Sequence, residues 1–366
     1  METHHRRLTA LDELYLQRTY ELAARGIGST SPNPPVGAVV VRDGRLVGEG
    51  YHHRAGTEHA ETHALRQAGA QARGATLYVS LEPCRHVGRT PPCTTAVIEA
   101  GVARVVAGTL DPSEHGGGSR ELRASGIDVE IAGDPAARDL IEMFARAPSG
   151  RPYLALKMAM SLDGAIARAP GERRQITSAQ AGQYVRGLRI AHDAVMVGAG
   201  TVRVDDPQLT VRPPHARLRE YVRIVACQSE ALPSDARVFA REAGYVTTIV
   251  LAPGAFAHRF ESLRGVADVM LVGGPGAETL DLLAAMAALR ERGIASVLCE
   301  GGPRLGAALL AAGVVDRFYW AVAPLFLGGS HPVCVLGPGS DLTAQVRCSF
   351  DRVERAGDDV VLSGPV

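Results

Sequence analysis

Residues 59 to 93 read HAETHALRQAGAQARGATLYVSLEPCRHVGRTPPC. His59 precedes a helix-like segment, Pro83-Cys84 follows a strand-like segment, and Cys93 closes the stretch. One imidazole and two thiolates leave the fourth position of a tetrahedral Zn²⁺ open, which is the arrangement of catalytic rather than structural sites. The stretch therefore predicts a catalytic zinc site with His59, Cys84 and Cys93 as ligands.

Glu61 lies two residues beyond the first predicted ligand, at the start of the same helix. A carboxylate held in a tight site is a usable general acid and base. The order His-x-Glu, Pro-Cys, Cys is typical of zinc-dependent base deaminases, in which the glutamate moves protons and does not bind the metal. We therefore expect a hydrolytic deaminase with Glu61 as its proton shuttle.

The spacing of the two cysteines narrows the class of deaminase. Eight residues, RHVGRTPP, separate Cys84 from Cys93, whereas nucleic-acid editing deaminases place only two residues there. With this spacing the chain resembles the bifunctional deaminase/reductases of riboflavin biosynthesis. The resemblance covers nearly the whole chain, and in this half it rests on TSPNPPVGAVVV (30–41), HAETHAL (59–65) and LEPCRHVGRTPPC (81–93).

Length and composition agree with a two-domain enzyme. A chain of 366 residues exceeds what one core usually supports. The 39 basic residues equal the 39 acidic ones, which gives no reason to expect nucleic acid as a partner. The sequence has neither an apolar run of membrane-spanning length nor a signal peptide at its charged N-terminus. We expect a cytoplasmic protein whose cysteines outside the zinc site are small buried residues, namely Cys227, Cys299, Cys334 and Cys348.

The N-terminal domain is predicted to span residues 1–147, as a cytidine-deaminase-like three-layer α/β/α fold. Leu11 to Arg25 has the periodicity of an amphipathic helix, and Asp134 to Ala145 is predicted as another helix, capped by Asp134. Between them, Asp111 begins a loop that is two residues shorter than the family's usual Asp-Pro-Asn-Pro turn. The expected core residues of the first helix are Leu14, Tyr15, Tyr20 and Leu22.

Four residues of this domain are candidates for substrate contacts. Asn33 precedes a proline, where asparagine is ordinarily a turn residue; the resemblance instead implies that its amide reads the pyrimidine. His52, which would otherwise be taken as a surface histidine, matches a substrate-contacting position of the family. His86 and Arg89 lie between the cysteines, and a cation there suits a phosphate ester. We interpret His63, one helical turn beyond His59, as a packing residue or as one that supports the metal ligands without binding the metal.

The C-terminal domain is predicted to span residues 148–366, with alternating strands and helices that indicate a largely parallel α/β sheet. The segments LALKMAMSLDG (154–164), VGAGTVRVDDPQLTVR (197–212) and CEGGPRL (299–305) resemble the reductase half of the same family, which has a dihydrofolate-reductase-like fold. The resemblance implies NADPH contacts at Ala159, Thr201, Asp205, Gly302, Pro303, Arg304 and Leu305. It implies substrate contacts at Arg189, Leu209, Arg212 and Glu300.

One segment departs from the family. Residues 171–177 read GERRQIT, where the family commonly has Gly-Glu-Ser-x-Trp-Ile-Thr with contacts from its Ser and Trp. Arg173 and Gln175 replace both side chains. Arg173 is a candidate for holding the substrate phosphate, or Arg174 for holding the phosphate of the cofactor; alternatively, the substitutions weaken the reductase.

The resulting hypothesis is a bifunctional enzyme that acts on a small pyrimidine ribotide, with one Zn²⁺ per chain and NADPH as cofactors. It would deaminate 2,5-diamino-6-ribosylamino-4(3H)-pyrimidinone 5′-phosphate and then reduce 5-amino-6-(5-phosphoribosylamino)uracil to the ribitylamino product. The expected assembly is a homo-oligomer, a dimer or a tetramer. The alternatives are an active deaminase with a silent second domain, a structural zinc module on a regulator, and an RNA or DNA base editor.

Overall fold

A computed structural model describes residues 8–87, 91–169, 172, 175–211, 221–241, 247–328, 331–333 and 348–366. The chain divides into two compact units, Met1–Arg146 and Ala147–Val366. In the described parts of the chain, no helix is both long and apolar enough to cross a membrane.

The first unit is built on a five-stranded sheet with the order β2-β1-β3-β4-β5. Strand β1 is antiparallel to β2 and β3, whereas β3, β4 and β5 are parallel. The strands are β1 (Gly37–Arg42), β2 (Arg45–Tyr51), β3 (Thr76–Leu81), β4 (Arg104–Thr109) and β5 (Asp128–Ile131). The helices are α1 (Ala10–Ala24), α2 (Ala60–Ala68), α3 (Cys93–Glu99), α4 (Gly118–Ala124), α5 (Pro135–Leu140) and α6 (Glu142–Ala145).

Helices cover both faces of this sheet because its central strands are apolar on both sides. Successive side chains of a strand point to opposite faces. On β1, Ala38 and Val40 pack in the cluster that includes α2, α3 and α4, whereas Val39 and Val41 pack in the cluster that includes α1 and α5. The predicted three-layer α/β/α fold is confirmed.

Two local predictions for this unit were wrong. Leu14 is 61% exposed, and Leu16, at 1%, takes the core position instead. The helix predicted from Asp134 is broken at Ile141 into α5 and α6, although Asp134 does cap α5 by accepting a hydrogen bond from the Ala136 N–H. The loop predicted from Asp111 is present and ends where helix α4 begins, at Gly118.

The second unit is built on a nine-stranded sheet with the order β11-β10-β9-β8-β12-β6-β13-β16-β15. The first seven strands in this order are parallel, and the C-terminal hairpin β15–β16, which the sequence did not predict, adds two antiparallel strands. The strands are β6 (Tyr153–Ser161), β8 (Ala194–Gly198), β9 (Val222–Ala226), β10 (Thr248–Pro253), β11 (Asp268–Val272), β12 (Ser296–Cys299), β13 (Arg317–Ala323), β15 (Arg352–Ala356) and β16 (Asp359–Pro365). A separate pair is formed by β7 (Ala165–Ala167) and β14 (His331–Pro332).

Helices and short 3-10 segments cover this second sheet. The helices are α7 (Ala179–Ala191), α8 (Ala199–Asp205), α9 (Leu282–Glu291) and α10 (Pro303–Ala311). Apolar residues form two clusters, one including Leu156, Met196 and Leu309 and the other including Val195 and Val225. Because Val195 and Met196 are neighbours on β8, the two clusters lie on opposite faces of the sheet. The largely parallel α/β architecture is confirmed.

The cysteines outside the zinc motif differ in exposure. Cys227 and Cys299 are buried, as expected, but Cys348 is exposed, so its prediction as a buried residue was wrong. Its neighbours Ser349 and Phe350 are exposed as well, so the thiol lies in a segment at the surface of the second unit. Cys334 lies outside the described residues.

Candidate active sites

Three elements of the first unit bring His59, Cys84 and Cys93 together. His59 is the N-cap residue of α2, Cys84 follows β3, and Cys93 is the first residue of α3. Nδ1 of His59 lies 3.1 Å from Sγ of Cys93 and 3.5 Å from Sγ of Cys84. Tetrahedral zinc holds neighbouring nitrogen and sulfur ligands about 3.6 Å apart. The three side chains therefore fit a zinc ion in both chemistry and spacing.

The surroundings of Cys84 favour its thiolate, which is the form that binds metals. Hydrogen bonds from the Cys93 thiol and from His59 lower the pKa of the Cys84 thiol. The backbone N–H of Cys93 also donates to Sγ of Cys84, at 3.5 Å. Two thiolates this close repel each other, and a dication would neutralise the pair.

Glu61 lies in the first turn of α2 and is 4% exposed. Burial raises the pKa of its carboxyl group, and its close neighbours include His59, Cys84 and Cys93. A carboxyl group removed from bulk water beside a metal-ligand cluster suits proton transfer, because a raised pKa makes it a better base.

Asn33 and His52 are joined directly. The Asn33 amide donates from Nδ2 to Nε2 of His52 at 3.3 Å, and Nδ1 of His52 donates to the Glu58 carbonyl at 3.1 Å. An amide nitrogen can only donate, so this pattern assigns a neutral His52 protonated at Nδ1. Burial lowers the pKa of His52, which agrees with the neutral form. His52 is 2% exposed and is therefore no surface histidine.

A cavity of about 360 Å³ joins these groups. It is lined by Asn33, His52, His59, Glu61, Cys84 and His86, all of them predicted site residues. It is also lined by Phe144, on α6, and by His115, in the loop before α4. The sequence analysis did not single out these two residues, because they lie far along the chain from the metal-ligand motif. Arg89 lies outside the described residues.

His63 points away from the metal-ligand cluster. Its ring stacks on His53 with centroids 4.7 Å apart, and its Nδ1 accepts from Arg66 at 2.9 Å. Over the described residues, the one group of three or more metal-ligating side chains is His59, Cys84 and Cys93. This is the packing role expected of His63.

Glu82 has a positioning role that the sequence did not reveal. Its carboxylate accepts from the N–H of Asp111 at 3.1 Å and from the N–H of Ser119 at 2.8 Å. Burial opposes its ionisation, but these and further hydrogen bonds lower the pKa of Glu82. The residue two positions before Cys84 thus fixes both ends of the loop between β4 and α4.

The second unit gathers its predicted residues where its central parallel strands end, which is where open α/β sheets place ligands. Glu300 directly follows β12, and Arg189 lies in the last turn of α7. Arg189 donates from Nε and Nη2 to the two Glu300 oxygens at 2.5 and 2.8 Å, and from Nη1 to the Thr210 carbonyl at 3.2 Å. Burial opposes ionisation of Glu300, but the charge and hydrogen bonds of Arg189 lower its pKa.

Lys157 was missed by the sequence analysis. It lies on β6, where burial lowers the pKa of its ammonium group, while the Glu300 carboxylate raises it and Arg189 lowers it further. A lysine inside an apolar strand pattern has no local signature. Only the parallel pairing of β6 with β12 brings it near Glu300.

The predicted cofactor turn connects β12 to α10. Gly302 is the N-cap of α10, and Pro303 is its first residue. A Cβ placed on Gly302 would lie 3.6 Å from Oγ1 of Thr201, so the turn lies beside the first turn of α8. Two predicted cofactor-contacting residues, Thr201 and Gly302, are therefore neighbours, and the start of a helix, where N–H groups have no partners within the helix, suits a pyrophosphate.

The other predicted residues of the second unit differ in the exposure of their side chains. Ala159 lies near the end of β6, and Asp205 is the last residue of α8. The side chains of Pro303 and Leu209 are buried, whereas Arg304 is exposed and Leu305 half-buried. Leu209 has φ = 53° and lies in the core, which leaves its main chain for a ligand.

The structure describes only part of residues 171–177, the segment whose sequence differs from that of the family. Gln175 is exposed and donates to the Thr177 carbonyl at 3.3 Å. Arg173, Arg174 and Arg212 lie outside the described residues.

Comparisons with known proteins identify the family to which each unit is similar. Residues 9–109 match the cytidine and deoxycytidylate deaminase zinc-binding region, and residues 152–362 match the RibD C-terminal domain. The riboflavin biosynthesis protein RibD of Escherichia coli K12 is 42% identical, over 96% of this chain and 98% of that protein. Among solved structures, Acinetobacter baumannii RibD (form 1) has a TM-score of 0.81 at 36% identity, over 97% of this chain and 99% of that one.

A second solved structure covers 100% of both chains, with a TM-score of 0.83 at 34% identity. It is a diaminohydroxyphosphoribosylaminopyrimidine deaminase/5-amino-6-(5-phosphoribosylamino)uracil reductase from Thermotoga maritima. Fold and site together define a two-domain enzyme in which a cytidine-deaminase-like domain precedes a reductase domain. The chain belongs to the RibD family. It is a bifunctional deaminase and reductase of riboflavin biosynthesis.

Proposed function

We propose that the first unit deaminates 2,5-diamino-6-ribosylamino-4(3H)-pyrimidinone 5′-phosphate and that the second reduces 5-amino-6-(5-phosphoribosylamino)uracil with NADPH. The observation that carries the proposal is the cavity in which Glu61 and the Asn33–His52 pair accompany the metal-ligand cluster. The relative from Thermotoga maritima is named for these two activities. The product of the first reaction is the substrate of the second, which accounts for their fusion in one chain.

His59, Cys84 and Cys93 would hold one zinc ion per chain. When bound, zinc supplies a Lewis acid that lowers the pKa of water. Glu61 would take one proton from water and deliver it to a ring nitrogen, and would then move the second proton of the same oxygen to the amine, which leaves as ammonia. Its burial supports this role, because burial raises the pKa of the Glu61 carboxyl group and so favours uptake of a proton.

Asn33 and His52 would orient the pyrimidine. The amide of Asn33 combines a donor and an acceptor, which matches the edge of a heterocycle. Its hydrogen bond to His52 fixes the plane of the amide before substrate arrives. Because His52 is itself held by the Glu58 carbonyl, the pair presents a prearranged surface.

In the second unit, NADPH would supply the hydride. Ala159, Thr201, Asp205 and the turn from Gly302 to Leu305 are the proposed cofactor contacts. Arg189 and Glu300 are the proposed substrate contacts, with the main chain of Leu209. Lys157, beside Glu300, is placed to donate a hydrogen bond to a sugar oxygen. The roles of Arg89, Arg173 and Arg212 remain predictions.

Mass spectrometry tests the proposal. The diaminopyrimidinone phosphate is incubated with zinc-loaded protein and NADPH. Exchange of one amine for oxygen together with gain of two hydrogens is the expected result. Exchange alone would indicate a silent second domain, and an unchanged substrate would contradict the proposed substrate. We further propose a cytoplasmic homo-oligomer, a dimer or a tetramer, which light scattering on the intact protein tests.

A further inference from the structure

Two imidazole rings are stacked in the wall of the deaminase cavity. The centroids of His86 and His115 are 3.8 Å apart, and their planes differ by 20°. Both residues line the cavity that contains Glu61 and the metal-ligand cluster. Nδ1 of His86 is buried and has no hydrogen-bond partner among the described residues. A buried polar atom without a hydrogen-bond partner is uncommon in folded proteins. A bound ligand that forms a hydrogen bond with this nitrogen would explain it.

The loop that carries His115 is held firmly. Glu82 fixes its two ends, and the Arg85 guanidinium donates from Nε to the Gly116 carbonyl at 2.7 Å. Within the loop, the His115 N–H donates to Oγ of Ser113 at 3.2 Å. The backbone of the loop is therefore held by contacts with the same segment that bears Cys84, and the His115 ring stacks on that segment at His86.

Glycines allow this loop to lie against that segment. Gly117 has φ = 98°, a left-handed conformation that favours glycine. A Cβ on Gly118 would lie 1.9 Å from the Pro83 carbonyl oxygen. The loop is thus in backbone contact with the residue before Cys84, and its departure from the family's usual turn places a histidine beside His86.

We propose that His115 is a positioning residue of the deaminase site, which acts by stacking on His86. The stack holds the His86 imidazole in one orientation, so that its buried nitrogen meets a polar group of a bound pyrimidine ribotide. Restricting a binding side chain beforehand reduces the entropy lost when the ligand binds. This inference rests on the proposed function of the first unit.

Binding of the diaminopyrimidinone phosphate tests the inference, measured by calorimetry in the Glu61→Gln background so that turnover does not interfere. His115→Ala removes the stacked ring and is expected to weaken binding about three- to tenfold, the usual worth of an aromatic pair. His115→Phe keeps a planar ring without nitrogens and is expected to bind within about twofold of the parent. Glu121→Ala, an exposed change on helix α4 just after the loop, is the matched control. Zinc content should be equal in all variants.

A double-mutant cycle decides whether His115 acts through His86. In the His86→Ala background, His115→Ala should weaken binding no further, because there is no ring left to position. Additive losses, or a His115→Phe variant as weak as His115→Ala, would overturn the inference by showing that His115 contacts the ligand itself. So would a His115→Ala variant that binds as the parent does. If the wild-type protein fails to deaminate the substrate, the proposed function fails; if it deaminates and the cycle shows no coupling, only this inference fails.

Discussion

Arg189 and Glu300 form a bidentate ion pair, with N–O distances of 2.5 and 2.8 Å, at the end of the central strands of the second unit. The sequence resemblance implied that each contacts substrate, but only the structure shows that they contact each other. The side chains are 20% and 12% exposed, so little water screens the pair.

Glu300→Gln is expected to lower kcat/KM of the reductase at least about tenfold, because hydrogen bonds to a charged group are worth more than neutral ones. The change also leaves Arg189 without its counter-charge. NADPH oxidation with the ribosylaminouracil phosphate measures the effect, and deaminase activity of the same variant should be unchanged. Glu291→Gln, at the end of α9, is the control; equal losses in both variants would contradict a specific role for Glu300.

Glu61→Gln is expected to lower deaminase kcat by at least about a hundredfold, the usual contribution of a general acid–base group. The amide keeps the size of the side chain but cannot carry a proton. Bound zinc, measured by elemental analysis, should be unchanged because Glu61 is not a ligand. Glu58→Gln, whose side chain pairs with Arg66 at the surface, should retain activity. A Glu61→Gln variant with wild-type turnover would refute the assigned role.

Removal of zinc with dipicolinate is expected to abolish deamination and leave reduction of the ribosylaminouracil phosphate within about twofold of its starting rate. The reason is that the metal-ligand cluster lies in the first unit, while the reductase residues lie in the second. Both activities are measured on one chelated sample, and added zinc should restore the first. Loss of both activities on chelation would show that the reductase also depends on the metal.

Asp12 links α1 to the sheet of the first unit. Its carboxyl group makes the stability of the first unit depend on pH. It is 1% exposed and accepts hydrogen bonds from Thr9, Tyr78 and Arg104. Burial opposes ionisation, but these hydrogen bonds lower the pKa of Asp12 below its ordinary value. Because the folded-state pKa is the lower one, the stabilisation is fully present above the unfolded pKa of about 3.9 and is lost as pH falls below it.

Asp12→Asn should therefore reduce the free energy of unfolding by about 2–3 kcal/mol near neutral pH and by progressively less below pH ~4. Circular dichroism of the intact protein measures unfolding, and the fluorescence of Trp320, the one tryptophan of the chain, identifies the transition of the second unit. Asp43→Asn, at a residue whose side chain is 90% exposed, is the control. If the difference in free energy of unfolding between the wild-type protein and Asp12→Asn does not decrease in acid, the ionised form of Asp12 is not its cause.

Gly118→Ala is expected to destabilise the first unit by about 1–3 kcal/mol, because the added Cβ would collide with the Pro83 carbonyl 1.9 Å away. The shift needed to relieve the collision moves the segment that bears Cys84, so zinc affinity should fall as well. Gly182→Ala offers a contrast, since a Cβ there meets open space inside helix α7. It should stabilise the second unit by up to about 1 kcal/mol. Equal effects of the two substitutions on zinc binding would contradict this account.

Local patterns predicted much of the fold. Helix α7 and strand β8 belong to the predicted alternation of helices and strands, because apolar periodicity and capping residues such as Ser178 are local signals. The same reasoning failed at Leu14, because Leu14 and Leu16 point to nearly opposite faces of the helix and the local pattern does not say which face is buried. The choice of Leu16 depends on where β1 and β3 lie beneath α1.

The sequence by itself determined the likeness to the family, the alternation of strands and helices, and the order of His59, Glu61, Cys84 and Cys93, because each is a pattern of neighbouring residues. Tertiary structure alone decided the partners of Glu82, the stacking of His86 on His115, the pairing of Arg189 with Glu300 and the approach of Lys157. These contacts join residues far apart in the chain. Strand register and helix packing bring them together, and neither is encoded in the residues next to any one of them.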